Sequence, residues 1–483
     1  MFARSWFRRP ADHAVEIPSP RDEVHQGNGS ARITPQPNSV SAGMISQPFT
    51  ADHDSHVDAS HESTNGSEVS DLLHEREQIV DRIKHLRAST DAYASEFVEQ
   101  ILDFAHRVKT SDLHLQPTAN GLEVRFRSDG VLHRLGEFPA GASSSVVSRL
   151  KVLSSLLTYR SDVPQEGRID SSPRPGGNAS SATNTTEIRV STYPTLHGER
   201  AVLRFFGHGN QYRHLSDLGH SAEVTESLTD CLAETSGAMI ICGPAGSGKS
   251  TTLYAALRHL VQETSGSRNL MSLEDPIEVP LDGVSQSQVN AAAGFTLQAG
   301  LRSLLRQDPE VIMVGEIRDP ETASIAIQAS LTGQLMLTSF HADSTVVAVS
   351  RLLDLGLEPY LLRSSVIGIC CQRLLRKLCH CAVESRDSTD HFGLPIEWCR
   401  KPLGCDDCNE TGYRGRVIAS EFLSLRDAGH AAEILDTKDS RTAYRIAVDA
   451  GMKSIWECAT DLVREGVTSP AEVRRVLGVT MRI

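Results

Sequence analysis

No stretch of this 483-residue chain strings together the 18 or so apolar residues that a membrane-spanning helix needs. The first nine residues are basic and aromatic, but they lack the apolar core of a signal peptide. Such a tip is read as disordered, with contact to an anionic membrane as the other reading. Excess positive charge is missing too. A formal net charge of −13 argues against a general nucleic-acid coat, so no direct nucleic-acid binding is expected. No internal repeat of fixed period is visible. What the chain does have is 39% apolar and 23% charged residues, which suits a globular protein carrying some polar, unstructured sequence. Its length suggests about three domains. Ten cysteines without a secretion signal point to a reducing cytoplasm, where close pairs suggest metal rather than disulfide.

Composition and periodicity divide the chain. Residues 1–67 are rich in Ser, Pro, Asn, Gly, His and Asp, and cannot bury enough surface to offset their ordering entropy; they are read as disordered. Residues 68–90 carry apolar positions at three- and four-residue steps and read as a helical lead-in. Residues 91–211 form an α/β module. It opens with a helix through Phe97, Ile101 and Leu102, and continues with alternating strands at 111–115 and 122–127 joined to a Ser128-Asp129-Gly130 turn. A helix is expected over 144–157 and strands over 187–192 and 200–205, with 171–186 as an inserted flexible loop. The module is rich in arginine: Arg125, Arg127, Arg168, Arg189, Arg200 and Arg204. A linker follows at 212–220. From 221 to 483, apolar runs at 238–242, 269–273, 311–314 and 334–338 alternate with helical stretches, which fits a parallel sheet covered by helices. A helix-rich segment is expected from about Leu352, including a helical stretch over 361–376, and a small capped helix at 470–477.

The stretch Gly243-Pro244-Ala245-Gly246-Ser247-Gly248-Lys249-Ser250 fits the phosphate-binding loop G-x-x-x-x-G-K-[ST], between an apolar run and a helix opened by Thr251. The glycines let backbone N–H groups converge on phosphate oxygens at a helix N-terminus. Lys249 would reach the β/γ-phosphates of ATP and Ser250 would donate its hydroxyl to Mg²⁺. Further clusters stand at strand ends, where open parallel sheets place ligands. Glu274-Asp275-Pro276-Ile277-Glu278 offers carboxylates for Mg²⁺ or for orienting water, with Glu274 assigned to the magnesium beside Ser250. Val311-Ile312-Met313-Val314-Gly315-Glu316 places Glu316 as the candidate catalytic base. His341 ends another run and is a candidate γ-phosphate sensor.

Two close cysteine pairs, Cys379 with Cys381 and Cys405 with Cys408, suit a tetrahedral, closed structural Zn²⁺ site within 379–408. The C-x-C half is tighter than usual, and His380 and Cys399 are alternative ligands. Cys370 and Cys371 read as buried small apolar residues.

Taken together, these clusters resemble the secretion ATPases of the GspE/PulE type, from about Ala94 to the C-terminus. The resemblance rests on the segments 111–117, 125–130, Pro164-Gln165-Glu166-Gly167-Arg168 and Arg189-Val190-Ser191-Thr192, and on the phosphate loop. It continues through 274–278 (the family's Asp box), Gln288-Val289-Asn290, 301–309, Glu316, His341 (in the His box), 372–379 and 411–416. It implies a PAS-like module followed by a RecA-like ATPase domain with a tetracysteine zinc insertion, assembled as a homo-hexamer. It implies that Arg189 and Arg204 reach the phosphates when the domains close, and that Arg302 and Arg306 lie near the site. Hydrolysis would drive type IV pilus assembly or type II secretion, in the cytoplasm and peripheral to the inner membrane, through a membrane platform or a cytoplasmic docking protein. A conjugative or DNA-uptake pilus motor, or a nucleotide-binding scaffold without turnover, are the alternatives. Three departures stand out: Gln334 follows Thr332-Gly333 where the family usually has histidine, the first cysteine pair is C-x-C, and the N-terminal region reads as disordered where many members carry a folded docking domain.

Overall fold

The computed structural model describes residues 71–86, 92–139, 142–170, 187–206, 214–408 and 410–478. The chain divides into two units, 1–62 and 63–483, and all described residues lie in the second. The segment 1–67 and the inserted loop 171–186, both expected to be disordered, lie outside the described residues.

The amino-terminal elements are α1 (Asp71–His85), α2 (Tyr93–Arg107), β1 (Asp112–Pro117), β2 (Gly121–Ser128), β3 (Val131–Pro139), α3 (Ala142–Leu153), β4 (Gln165–Asp170), β5 (Glu187–Thr195) and β6 (Gly198–Phe205). The strands form one antiparallel sheet in the order β3-β2-β1-β6-β5-β4. Alternation sends Leu113, Leu115, Val190 and Leu203 to one face, where they meet Phe97, Ile101 and Phe104 of α2 and Leu150 of α3. Ile79 and Ile83 of α1 are buried in the same core, so the lead-in helix packs on this module. The helix α3 stops at Leu153, short of the expected 157, because Ser155 adopts a left-handed φ of 58°.

The second set is α4 (Ala222–Ala233), β7 (Gly237–Cys242), α5 (Lys249–Glu263), β8 (Leu270–Glu274), β9 (Ser285–Gln288), α6 (Leu297–Leu304), β10 (Val311–Val314), α7 (Pro320–Leu331), β11 (Leu335–Phe340), α8 (Thr345–Asp354), α9 (Pro359–Ser365), β12 (Val366–Leu378), β13 (Val383–Ser385), β14 (Cys399–Lys401), β15 (Tyr413–Ser424), α10 (Ala428–Asp436), α11 (Ser440–Asp449), α12 (Ile455–Arg464) and α13 (Pro470–Leu477). Seven strands form a sheet in the order β15-β12-β7-β11-β10-β8-β9, parallel except for β15. Its central strands are buried on both faces, as sheets sandwiched between helices require. Ile240, Ile312 and Met336 point to one core, and Met239, Met313 and Leu337 to the other.

One expectation fails here. The stretch 361–376 is not helical: α9 ends at Ser365 and β12 takes over, paired with β7 on one side and β15 on the other. A strand buried on both faces gives a continuous apolar run, which period alone does not separate from a buried helix. Packing decides for the strand. A Cβ on Gly368 would stand 2.4 Å from the Phe422 ring of β15, so that ring packs directly over the glycine of β12. Cys370 and Cys371 are fully buried, as expected, although on a strand.

Candidate active site and metal centre

The loop between β7 and α5 turns on glycine. Gly243, Gly246 and Gly248 have φ of 151°, 74° and 91°, and a Cβ on Gly243 would meet Ser247 Oγ at 2.4 Å and the Gln372 carbonyl oxygen at 2.6 Å. Lys249, at the start of α5, donates from Nζ to the carbonyl oxygens of Gly243 (3.0 Å) and Pro244 (3.1 Å). Burial lowers the pKa of this ammonium group, while the carboxylate of Glu316 nearby pulls it back up.

Lys249, Ser250, Asp275, Glu278, Glu316 and His341 line one cavity of about 200 Å³ at the carboxyl ends of the strands. Ser250 Oγ donates to Glu278 Oε1 at 3.1 Å. Burial raises the pKa of Glu278; the Ser250 hydrogen bond opposes this, as do the charges of Arg204 and Lys249.

Glu274 departs from its expected role. It also borders the cavity, but its side chain is buried and both oxygens are taken: one by Tyr254 Oη, the other by Ser272 Oγ (2.5 Å) and Gln286 Nε2 (3.0 Å). The carboxylate facing Ser250 is Glu278. Tyr254 links the two, since its hydroxyl also accepts from the Glu278 N–H at 3.0 Å.

Glu316 sits one residue past Gly315 at the end of β10. The turn is pinned by Gly315 N–H donating to Leu273 O (3.0 Å), Ile317 N–H to Ser339 O (3.1 Å), and Ser339 Oγ to Gly315 O (2.7 Å). Arg318 donates to Glu316 Oε2 from Nε (2.7 Å) and from a terminal nitrogen (2.6 Å), while His341 Nε2 lies 2.9 Å from Oε1. Arg318 therefore holds one oxygen of the catalytic candidate, while the other is enclosed beside His341 without a hydrogen bond. Gln334 sits at the other end of β11 from His341, where its amide oxygen accepts from Thr332 Oγ1 at 2.8 Å. Six strand residues separate the two positions, so this departure from the family pattern falls well away from the cavity.

The arginines divide. Arg168, Arg189 and Arg204 stand directly opposite one another on β4, β5 and β6, and Asp112 of β1 is opposite Arg204. Arg189 donates to Glu166 (2.5 Å) and Arg204 to Asp112 (2.9 Å); both guanidinium groups are exposed. The Arg204 charge also lowers the pKa of Glu278 at the cavity wall, which puts the two groups within electrostatic reach of each other. Arg302 and Arg306 do not line the cavity. On α6, Leu301 and Leu304 take the inward positions, leaving Arg302 to pair with Glu321 of α7 (2.7 Å) and Arg306 to donate to Arg302 O (2.8 Å).

Cys379, Cys381, Cys405 and Cys408 converge, all four sulfurs within 4.8 Å of one another. Sulfur separations of 3.8 Å (379 to 405), 3.9 Å (381 to 408) and 3.8 Å (405 to 408) match the ~3.8 Å edge of a tetrahedron with Zn–S bonds of about 2.3 Å. The donors around Cys408 also suit a thiolate. Burial raises its pKa, but N–H groups of Cys405 (3.2 Å) and Gly412 (3.1 Å) point at its sulfur and the net shift is downward. Of the alternative ligands, Cys399 stands apart, donating to Asp390 O (3.8 Å), whereas His380 borders the cluster, with Nδ1 3.5 Å from Cys379 Sγ and Nε2 3.3 Å from Asp407.

Sequence reasoning gave no role to Tyr254, Gln286, Gln372 or Arg318. Tyr254 lies in the first turns of α5 but its partners, Glu274 and the Glu278 N–H, come from β8 and the segment after it, whereas Arg318 meets Glu316 from only two residues away.

A phosphate loop leading into a helix, with a carboxylate and a histidine at neighbouring strand ends, defines a P-loop ATPase of the RecA-like kind. The chain belongs to the family described as Type II/IV secretion system protein, which it matches over residues 87–475. It is similar to the Type II secretion system ATPase E of Vibrio cholerae, with 39% identity over 418 residues covering 85% of this chain and 80% of that protein. It is 37% identical over 401 residues to the Type IV pilus assembly ATPase TfpB of Acinetobacter baylyi, covering 81% and 67%. Among solved structures, the ATPase DotB of Legionella pneumophila shares the fold, with a TM-score of 0.58 at 19% identity over 79% of this chain and 95% of that one. The chain is thus an ATPase of the secretion and pilus family.

Proposed function

We propose that this ATPase powers type II protein secretion or type IV pilus assembly as a homo-hexamer, docked through a protein partner at the cytoplasmic face of the inner membrane. Relatives bearing both functions in their names support the reading. The observation that carries the hydrolytic part is the single cavity shared by Lys249, Ser250, Glu278 and Glu316.

In this reading Lys249 leaves its two loop carbonyls to meet the β/γ-phosphates. Ser250 and Glu278 would hold Mg²⁺; a buried carboxyl already bonded to the serine hydroxyl is a fitting partner for a cation, which neutralises phosphate charge when bound. Glu316, released from Arg318, orients the water whose oxygen attacks the γ-phosphorus, and takes its proton as ADP leaves. His341, already against Glu316, senses the γ-phosphate. Arg189 and Arg204 bring positive charge from the first sheet onto the phosphates, so that binding draws the two sheets together and hydrolysis releases them. The four cysteines would hold one structural Zn²⁺ with no role in the chemistry.

The test is steady-state ATP hydrolysis by purified protein and its Glu316→Gln variant, with nucleotide binding measured in parallel. A fall in kcat of at least about a hundredfold with binding retained is expected. Equal rates would remove Glu316 from the mechanism.

A further inference from the structure

Under the phosphate loop lies a fully buried amide that the reaction as described does not use. Gln372 of β12 has no exposed surface. Its Nε2 donates to Ser247 O inside the loop (2.9 Å), and its Oε1 accepts from Thr252 Oγ1 in the first turn of α5 (3.0 Å). Its main-chain oxygen lies against Gly243, and its Nε2 would be 3.2 Å from a Cβ on Gly248. One residue therefore touches the start, the middle and the end of the loop. Arg373 steadies it, donating to Gln372 O (3.1 Å) and to Asp343 O (2.9 Å).

We propose that Gln372 is the positioning residue of the phosphate loop. It does not touch nucleotide. It uses a donor on the loop and an acceptor on the helix to hold the 243–248 backbone in its anion-binding form before ATP arrives. Only an amide of this length does both, because a carboxylate would set oxygen lone pairs against Ser247 O. Without the clamp, ordering the loop must be drawn from the binding energy of the phosphates, so affinity falls while the chemical step of the bound state is spared. The inference rests on the nucleotide reading of Lys249 and Ser250.

The experiment titrates the full-length protein with a fluorescent ATP analogue and measures hydrolysis at saturating ATP. The variants are Gln372→Met, which keeps length and loses both bonds, Thr252→Val, which loses the bond to Gln372 and a longer one to Gly248 O (3.3 Å), the double variant, and Lys249→Ala as the control on the site. Gln372→Met is expected to raise Kd about tenfold, the effect of roughly one net buried hydrogen bond, with kcat within about threefold. Thr252→Val is expected to raise Kd about threefold alone, and by less than that on top of Gln372→Met, because the two share a bond while only Thr252 reaches Gly248 O. An unchanged Kd in folded Gln372→Met, with binding lost in Lys249→Ala, overturns the proposal. If Gln372→Met does not fold, an unchanged Kd in Thr252→Val overturns it instead. Wild-type binding by Lys249→Ala would instead refute the underlying site, and the proposal with it.

Discussion

Two carboxylates four residues apart, Glu274 and Glu278, carry opposite burdens. Glu274 is enclosed and accepts three side-chain hydrogen bonds, whereas Glu278 bonds the hydroxyl of Ser250 at the cavity wall. Glu278→Gln is therefore expected to lower Mg²⁺-dependent kcat/KM by roughly a hundredfold while leaving unfolding unchanged. Glu274→Gln should cost about 1–3 kcal/mol of stability, read by thermal denaturation, because it leaves buried donors competing for one acceptor. The sequence placed both acids at the strand end but could not rank them, since the partners of Glu274 come from α5, β8 and β9. The phosphate loop, Glu316 and His341 were legible because each follows an apolar run within its own segment. The neighbour on Glu316 Oε1 was not, because His341 comes from the end of the adjacent strand β11. A third residue gives a pH signature. His220 Nδ1 lies 2.8 Å from Ser420 Oγ, its Nε2 is enclosed without a partner, and burial lowers its pKa from 6.5 to about 4. A depressed folded-state pKa means that its contribution is fully present above pH 6.5 and is lost as pH falls toward 4. His220→Asn is expected to remove a stability slope of up to about 1.4 kcal/mol per pH unit in that window, read from denaturant midpoints.

Among the elements, β12 joins several parts of the seven-stranded sheet's surroundings. It pairs with β7 and β15, touches the phosphate loop through Gln372, and runs into Cys379 at its end. Near that end Arg376 donates from its backbone N–H (3.0 Å), Nε (3.0 Å) and a terminal nitrogen (2.7 Å) to the buried Glu472 of α13, and its guanidinium stacks 3.9 Å from the Tyr413 ring centroid. Glu472→Ala strands these cations in a largely buried site and is expected to cost about 3 kcal/mol, seen as a lowered urea midpoint. Elemental analysis should find about one zinc per chain, lost in the Cys405→Ser/Cys408→Ser double variant, as four thiolates closing a tetrahedral site require. The strand itself escaped sequence reading. Its buried apolar run imitates a helix, and its pairing partner β15 lies beyond the whole cysteine segment, a separation that no local pattern spans. The capped helix α13 was legible because Ser469, Pro470 and Glu472 signal its start within four residues.

Across the second unit, Arg168, Arg189 and Arg204 stand in one cross-strand row on the first sheet, and the charge of Arg204 reaches Glu278 at the cavity of the second. Like charges opposed across strands are destabilising, and Glu166 beside Arg189 and Asp112 beside Arg204 work against that. The turn 128–130 adds a direct tie between the two sets of elements: Asp129 Oδ2 accepts from Gly415 N–H at 2.9 Å, and Oδ1 lies 3.6 Å from Arg416. The sequence revealed the number of arginines, and the family resemblance singled out two of them, but only strand register set them in a row. The most direct test of the account is kcat and nucleotide Kd for Arg204→Ala and Arg189→Ala, measured side by side with the wild type. Completion of the site by the first sheet predicts a loss of kcat of about a hundredfold or more, with Kd changed far less. Wild-type kcat in both variants would contradict it.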